Sequence, residues 1–354
     1  MARILVIRLS AIGDVAMTIP VIYSAARANP ADTFTVLTQV FLIPVFINRP
    51  PNIEMMGINT FGAEKTLGGL LRFARAYSKH DFDIALDLHR VLRTQIICLL
   101  FRLQGKKVYA LNKARRERLQ LTAPAGKKTL KPIRSVIDRY ADVFKAAGLN
   151  CTDTFGNLFD GRPPAPLPPI QGLNNKQNAW IGIAPFARHA GKIYPLNLME
   201  QVVATLATRE NLTIILFGGR GNELQTLNEW AARHNNVINA AGRYSLDAEL
   251  SLISHLDLLV SMDSANMHFA SLVQTPVISI WGATHPNAGF YGYHQNPANA
   301  IQLNLPCRPC SIYGQKPCHR HDYACLTQLP PQTILAQINQ IIPSEKKSSS
   351  PAKQ

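Results

Sequence analysis

The alternation of strand patterns with helical patterns constrains this chain most. Short apolar runs typical of buried strands alternate with amphipathic stretches in two series. The first series predicts strands at 3–7, 33–38, 53–56, 83–88 and 106–110 and helices near 14–29, 66–79, 92–103 and 133–148. The second predicts strands at 180–184, 212–217, 236–239, 257–261 and 277–281, with helices near 196–208, 222–234, 246–254, 266–273 and 331–342. Such alternation is typical of parallel sheets, so we expect an α/β protein with two doubly wound halves.

A proline-rich segment separates the two series. Five prolines lie between Pro163 and Pro169, and proline stiffens a chain and removes hydrogen-bond donors. We therefore predict an N-terminal domain at 1–162, a linker at 163–178 and a C-terminal domain at 179–343. The polar, basic segment 344–354 is predicted to be a disordered tail. A length of 354 residues, 47% of them hydrophobic, suits two domains with large cores.

The positive charge is concentrated in one stretch. The chain has a formal net charge of +15, and segment 102–145 holds thirteen Lys and Arg against three acidic residues. Such a stretch attracts polyanions, including anionic lipid headgroups and phosphorylated glycolipids, although a merely solvated basic surface is the alternative. Nucleic acid is disfavoured as a partner because aromatic residues are not interleaved with the charges.

The sequence does not indicate membrane insertion or secretion. The apolar run 96–101 is too short to span a bilayer and is flanked by arginines. Charged residues also interrupt the N-terminal apolar pattern, which is unlike a signal peptide. We therefore expect a cytoplasmic protein.

Two segments predict a strand that turns sharply into a helix. RILVIRLSAIGDVAMTIPVI lies at the N-terminus, and DLLVSMDSANMHFASLVQTPVISIWG lies about 250 residues later. The first turn of a helix has unpaired N–H groups and a favourable dipole for anions, so such a corner suits phosphate. An ordinary N-capped helix is the alternative. One corner in each half predicts a ligand cleft between them.

The order and spacing of these segments resemble glycosyltransferase family 9, the heptosyltransferases of lipopolysaccharide inner-core synthesis. The resemblance extends from residue 3 to about residue 340 and includes FDIALDLHRVLRTQIICLLFRLQGKKVYAL. It implies the GT-B fold, in which the last helix commonly crosses back to the first domain. It also implies an inverting, metal-independent transfer of heptose from ADP-heptose to a lipid A–Kdo acceptor, with no further cofactor. We expect a monomer that works peripherally on the anionic inner face of the inner membrane.

The resemblance assigns roles to residues of the first half. Asp14 matches the proposed catalytic aspartate of the family, although an aspartate here can also merely cap its helix. Gly13 is predicted to bring the backbone close to the acceptor, and Ser10 to touch a substrate. Predicted acceptor contacts after the fourth strand, beside His89, are Asp87, Arg90 and Arg93, for which surface salt bridges are the alternative.

In the second half, the resemblance assigns donor contacts to three segments. Lys192 in APFARHAGKIYP is predicted to offset the charge of the leaving diphosphate, and solvent exposure is its alternative. Relatives carry Ser or Thr at Ala187, and Arg188 is predicted to supply the lost contact. The further predicted donor residues are Glu223 in the glycine-rich turn FGGRGNE, and Asp263, Ser264, Ala265 and His268, with Ala265 in place of the usual glycine. The alternative for Glu223 is an acid that stabilises the first turn of its helix, and the alternative for His268 is a hydrogen-bonded core histidine.

Four cysteines lie close together near the C-terminus. Cys307, Cys310, Cys318 and Cys325 form C-x2-C-x7-C-x6-C. This spacing leaves open a structural zinc site, a disulfide or plain thiols. We favour plain thiols and predict no metal.

Other functions remain open from the sequence. The same fold also serves other nucleotide-sugar transferases and UDP-sugar epimerases, and the alanines at 187 and 265 are compatible with a non-catalytic protein that binds sugar nucleotides or polyanions. A dinucleotide dehydrogenase is disfavoured because neither corner contains G-x-G-x-x-G.

Overall fold

The computed structural model describes residues 1–77, 81–160, 167, 176 and 178–343. It contains two parallel sheets, which confirms the α/β prediction. The first sheet has the order β3-β2-β1-β4-β5 and the second has the order β11-β10-β9-β6-β7-β8. The predicted linker lies almost entirely outside the described residues, and the predicted tail lies wholly outside them, so these boundaries stay predictions.

The three central strands of the first sheet are apolar runs buried on both faces, as is usual in parallel sheets, whereas its two edge strands are partly exposed. Its strands are β1 Arg3–Ile7, β2 Thr33–Gln39, β3 Ile53–Ile58, β4 Ile84–Asp87 and β5 Lys107–Ala110. The helices are α1 Ile12–Ala16, α2 Ile19–Ala28, α3 Leu67–Tyr77, α4 Leu92–Leu103, α5 Arg115–Leu121 and α6 Val136–Ala146.

The second sheet follows the same plan. Its strands are β6 Ala179–Ala184, β7 Leu212–Leu216, β8 Val237–Asn239, β9 Leu258–Met262, β10 Val277–Trp281 and β11 Ala300–Gln302. The helices are α7 Leu196–Ala207, α8 Asn222–Ala231, α9 Leu246–Ser254, α10 Ala265–Leu272, α11 Ala324–Thr327 and α12 Pro331–Ile341.

The structure departs from the sequence prediction in a few elements. The single helix expected at 14–29 is two helices, because Pro20 lacks the N–H that would continue the first one. The elements α5, α11 and β11 were not predicted, since three to seven residues are too short to show a period. The last helix packs against α7 in its own half, unlike the crossing that the resemblance implies.

The two halves pack directly on each other. One hydrophobic cluster contains Leu42 and Val45 from the first half and Leu250 and Ile253 from the second. Backbone hydrogen bonds join the halves at Ile133 N to Asn287 O (2.8 Å), at Val136 N to Gly289 O (2.8 Å) and at Leu158 N to Leu272 O (2.9 Å). Apolar packing and backbone hydrogen bonds therefore join the two halves.

Candidate functional site

The predicted corners lie where the strand order reverses in each sheet. In the first sheet the reversal is between β1 and β4, and α1 follows β1. In the second sheet it is between β9 and β6, and α10 follows β9. Ligands of open parallel sheets bind at this point, outside the carboxyl ends of the strands. The helices α1 and α10 pack against each other, so the two corners share one site.

The contact between the corners is tight. A Cβ atom at Gly13 would lie 2.7 Å from Cδ2 of His268 and 3.4 Å from the Cα of Ala265. Because real Cβ atoms essentially never approach another atom closer than 3.0 Å, only glycine fits here without a shift. The glycine predicted to bring the backbone close to the acceptor therefore brings it close to the opposite half of the protein.

Asp14 is held by an arginine from the end of β1. Arg8 Nη2 lies 2.8 Å from Asp14 Oδ2, with 7% of the arginine side chain and 22% of the aspartate side chain exposed. Arg8 Nη1 also donates to the backbone oxygen of Leu88 (2.8 Å), and its guanidinium lies over the ring of Tyr140. Burial alone would lower the pKa of Arg8, but the Asp14 carboxylate keeps it above its usual value. The carboxylate is therefore oriented by a fixed cation and still reaches the cleft.

Lys192 forms the corresponding ion pair in the second half. Its Nζ lies 2.9 Å from Asp263 Oδ2, and the two side chains are 17% and 7% exposed. Thr284 Oγ1 donates to the same carboxylate oxygen at 2.8 Å. The lysine stem lies against Gly314, where a Cβ atom would come within 2.5 Å of Lys192 Cγ. Lys192 is thus a positioned cation, unlike the solvent-exposed loop lysine that was its alternative.

His268 lies between these two ion pairs. It is 6% exposed, and its Nδ1 has no hydrogen-bond partner among the residues that the structure describes. Burial lowers its pKa to about 4, although Asp263 and Asp14 act in the opposite direction. His268 is therefore neutral near pH 7, and carboxylates from both halves are close enough to influence it.

The other predicted donor residues line turns around the same edge. Glu223 Oε2 accepts a hydrogen bond from Gly219 N (2.7 Å), so this carboxylate orders the glycine-rich turn. Ser264 is the N-cap residue of α10, and its Oγ lies 3.2 Å from Ser261 Oγ. Ala187 is half-buried and Arg188 is exposed on the loop after β6.

The predicted acceptor residues have different surroundings. Asp87 is buried, and its carboxylate accepts from His89 N, Arg90 N and Thr94 Oγ1 at 2.7–2.9 Å, so it orders the turn after β4. Arg90 is exposed and donates to Leu111 O (3.0 Å). Arg93 is exposed on α4, and Ser10 is half-buried after β1. The acceptor roles of these residues stay predictions.

Sequence reasoning missed several cations around Arg8. Arg8 itself, which pairs with Asp14 directly after β1, was not among the predicted site residues. Burial lowers the pKa of Lys113, and Arg8, Arg115 and Arg118 lower it further, so part of the basic stretch converges on this site. Arg118 also reaches the second half, where it donates to Tyr313 Oη and lies over the rings of Phe290 and Tyr313. The signal for this cluster was the charge density of segment 102–145.

The C-terminal cysteines are free thiols in the structure. Within the described ranges, no three His, Cys, Asp or Glu residues are grouped so that they could hold a metal ion. Cys325 is packed in the core of the second half, where burial raises its pKa to about 11.

Comparison with known proteins identifies similar chains. The model of glycosyltransferase family 9 (heptosyltransferase) matches residues 70–319. Lipopolysaccharide heptosyltransferase 3 of Escherichia coli K12 is 25% identical over 283 residues, which cover 77% of this chain and 80% of that protein. The solved family 9 glycosyltransferase of Veillonella parvula superposes with a TM-score of 0.73 at 18% identity, over 96% of this chain and 97% of that one. E. coli heptosyltransferase WaaC with ADP superposes with a TM-score of 0.68 at 16% identity, over 96% and 99%.

Proposed function

Because the chain belongs to glycosyltransferase family 9, the heptosyltransferases, we propose that it transfers heptose from ADP-heptose to the lipopolysaccharide inner core with inversion. The acceptor is a lipid A–Kdo glycolipid, and the reaction needs neither a metal nor another cofactor. The protein works as a monomer at the cytoplasmic face of the inner membrane. Among the helices that the structure describes, none combines the length and the apolar character needed to cross a bilayer.

One observation carries this proposal: the corner with the Arg8–Asp14 pair packs through Gly13 against His268 on α10, and the Lys192–Asp263 pair lies at the corner where α10 begins. Inverting transfer needs a base beside the acceptor hydroxyl and positive charge beside the leaving diphosphate. These two requirements are met by groups from opposite halves. A substrate bound on each half therefore brings the two reactants together.

We assign the base to Asp14. Its partly exposed carboxylate takes the proton of the acceptor hydroxyl while that oxygen attacks the anomeric carbon of the donor. Arg8 positions the carboxylate and is a positioning residue. Since one displacement forms the new bond on the face opposite the leaving ADP, the anomeric configuration inverts.

We assign the leaving diphosphate to Lys192 and the first turn of α10. The lysine supplies a full positive charge, and the helix supplies free N–H groups and the positive end of its dipole. Together they offset the charge that develops on the departing ADP without a metal ion.

The experiment is a turnover assay with ADP-heptose and a truncated core acceptor, which follows ADP release and determines the anomeric configuration of the product by NMR. Asp14→Asn should lower turnover by about 10²- to 10⁴-fold, the usual contribution of a general base, while ADP-heptose affinity changes little. Asp83→Asn is the matched control, because that carboxylate lies at the opposite end of β4, where it accepts from Arg3 N. Binding of ADP-heptose without turnover would identify a non-catalytic binding protein, and unchanged turnover in Asp14→Asn would remove Asp14 as the base.

A further inference from the structure

Helix α4 has apolar side chains on two opposite faces. Ile97, Cys98 and Phe101 are buried against the sheet. On the other side, Leu92, Leu99 and Leu103 are 75%, 53% and 75% exposed. At about 100° per residue these three leucines fall within roughly 40° of arc, so they form a continuous outward stripe along the helix. A leucine stripe facing water has an energetic cost that normally indicates a binding surface.

Positive charges flank this stripe. The exposed Arg93 and Arg102 lie at roughly 80° to 100° on either side of it, by the same helical spacing. Arg90 precedes the helix, and Lys106 and Lys107 follow it. Segment 88–107 contains no Asp or Glu. Leucines bordered by cations are typical of a helix that lies in the headgroup region of an anionic bilayer.

We propose that the outward face of α4 docks the protein on anionic phospholipid. The leucines enter the boundary between headgroups and acyl chains, and the flanking arginines and lysines contact lipid phosphates. This inference rests on the proposed function, in which the acceptor is itself anchored in a bilayer.

The place of α4 in the fold fits this role. The helix begins directly after the turn at Asp87–Arg90, at the carboxyl edge of the sheet that carries the candidate site. Its twelve residues then extend about 18 Å from that edge. Docking along α4 therefore holds the acceptor side of the cleft beside the membrane surface without covering it.

The charge pattern favours a bilayer over a second copy of this chain. A symmetric dimer places the same patch of each subunit against the other. Through α4, that arrangement would bring five cations against five cations with no acidic residue of segment 88–107 to balance them. An anionic membrane supplies the missing negative charge.

The test uses the full chain and vesicles of phosphatidylcholine, with or without phosphatidylglycerol, in a sedimentation assay. Wild type should bind the vesicles that contain phosphatidylglycerol, and binding should weaken as salt increases. The double variant Leu99→Gln/Leu103→Gln should lose at least about tenfold in partitioning, since it removes two apolar contacts. Arg102→Gln should lose about fivefold, the effect of one cation near a charged surface.

Matched measurements separate docking from folding and from catalysis. Leu119→Gln is the control, because Leu119 on α5 is 73% exposed but belongs to no stripe, and it should bind vesicles like wild type. The double variant should keep the thermal midpoint of wild type and its turnover on a delipidated, water-soluble acceptor, and should lose turnover only on acceptor embedded in vesicles. If vesicle binding depends on Leu99 and Leu103 but the protein shows no turnover, the docking proposal stands and the proposed function is refuted.

Four results would overturn the docking proposal. The first is that wild type does not bind the anionic vesicles, and the second is that the double variant binds them equally well. The double variant could also lose turnover on the soluble acceptor. Finally, sedimentation velocity could show a wild-type oligomer that the double variant dissociates, which would identify a second copy as the occupant.

Discussion

Replacing Gly13 by alanine tests the contact on which the shared site depends. The new Cβ would lie 2.7 Å from Cδ2 of His268, so one of the two helices has to move by about 0.7 Å to restore an ordinary contact of 3.4 Å. His268 is 6% exposed in the packed junction of α1 and α10 and has little room to turn away. Overpacking of this kind costs about 1–3 kcal/mol. Alanine regains about 0.5–1 kcal/mol of helix propensity, which leaves a net loss of roughly 0–2.5 kcal/mol.

The assay combines urea unfolding with turnover. Gly68→Ala is the matched control, because Gly68 also lies in a helix and a Cβ atom there meets nothing within 4 Å, so that variant should be as stable as wild type or more so. Turnover of Gly13→Ala should fall by up to about 10²-fold, since a shift near 1 Å misaligns reacting groups. His268→Ala should restore space, so the stability losses of the two single changes should not add in the double variant. A Gly13→Ala protein that unfolds and turns over like Gly68→Ala would refute the reasoning.

Two further changes probe the second half. Lys192→Met should weaken ADP-heptose binding by about 10- to 100-fold, the effect of one charge-assisted contact, and should destabilise the fold by leaving Asp263 buried without its cation. Adding Asp263→Asn to Lys192→Met should recover stability but not affinity for ADP-heptose, and calorimetry of both variants measures the two effects. Full affinity in Lys192→Met would show that the lysine has only a structural role. Lowering the pH tests His268: burial lowers its pKa from an ordinary value of 6.5 to about 4, so between these pH values the unfolded chain binds a proton that the folded chain does not. The free energy of unfolding should therefore fall from pH 6.5 to about 4, by about 1.4 kcal/mol per unit from this residue, and His268→Asn should show a correspondingly smaller slope in urea titrations.

The sequence predicted both corners because each combines a strong local signal with a short turn. Apolar runs such as 4–7 and 258–260 end abruptly at polar residues, and helical spacing begins at once. The split between α1 and α2 was missed, although Pro20 inside the expected helix was a signal for it. The three-residue strand β11 was not, because its pairing depends on β10 rather than on its own pattern.

Side-chain direction explains what could not be predicted. Asp87 and Asp14 both follow a strand of the same sheet, and the sequence does not distinguish them. In the fold, Asp87 is buried and its oxygens accept from two amides of its own turn and from Thr94, whereas Asp14 is 22% exposed, pairs with Arg8 and accepts a longer hydrogen bond of 3.4 Å from Ala11 N. The contact of Gly13 with His268 joins residues about 250 positions apart, so no local pattern reports it. Only tertiary packing therefore distinguishes the carboxylate of Asp87, which orders a turn, from the partly exposed carboxylate of Asp14.

The contact between Gly13 and His268 also connects the halves energetically. On the proposed function, a diphosphate that binds at α10 shares Lys192 with Asp263, and neutral His268 adds no positive charge. The free N–H groups at the start of α10 then supply the remaining stabilisation of the diphosphate charge. This stabilisation depends on the orientation of the helix. Because α10 packs against α1 through Gly13 and His268, its orientation is fixed in part by the first half. A change at Gly13, which belongs to the acceptor half, should therefore be measurable as a change in donor affinity, whereas an equal loss of stability at a site far from this junction should leave that affinity unchanged.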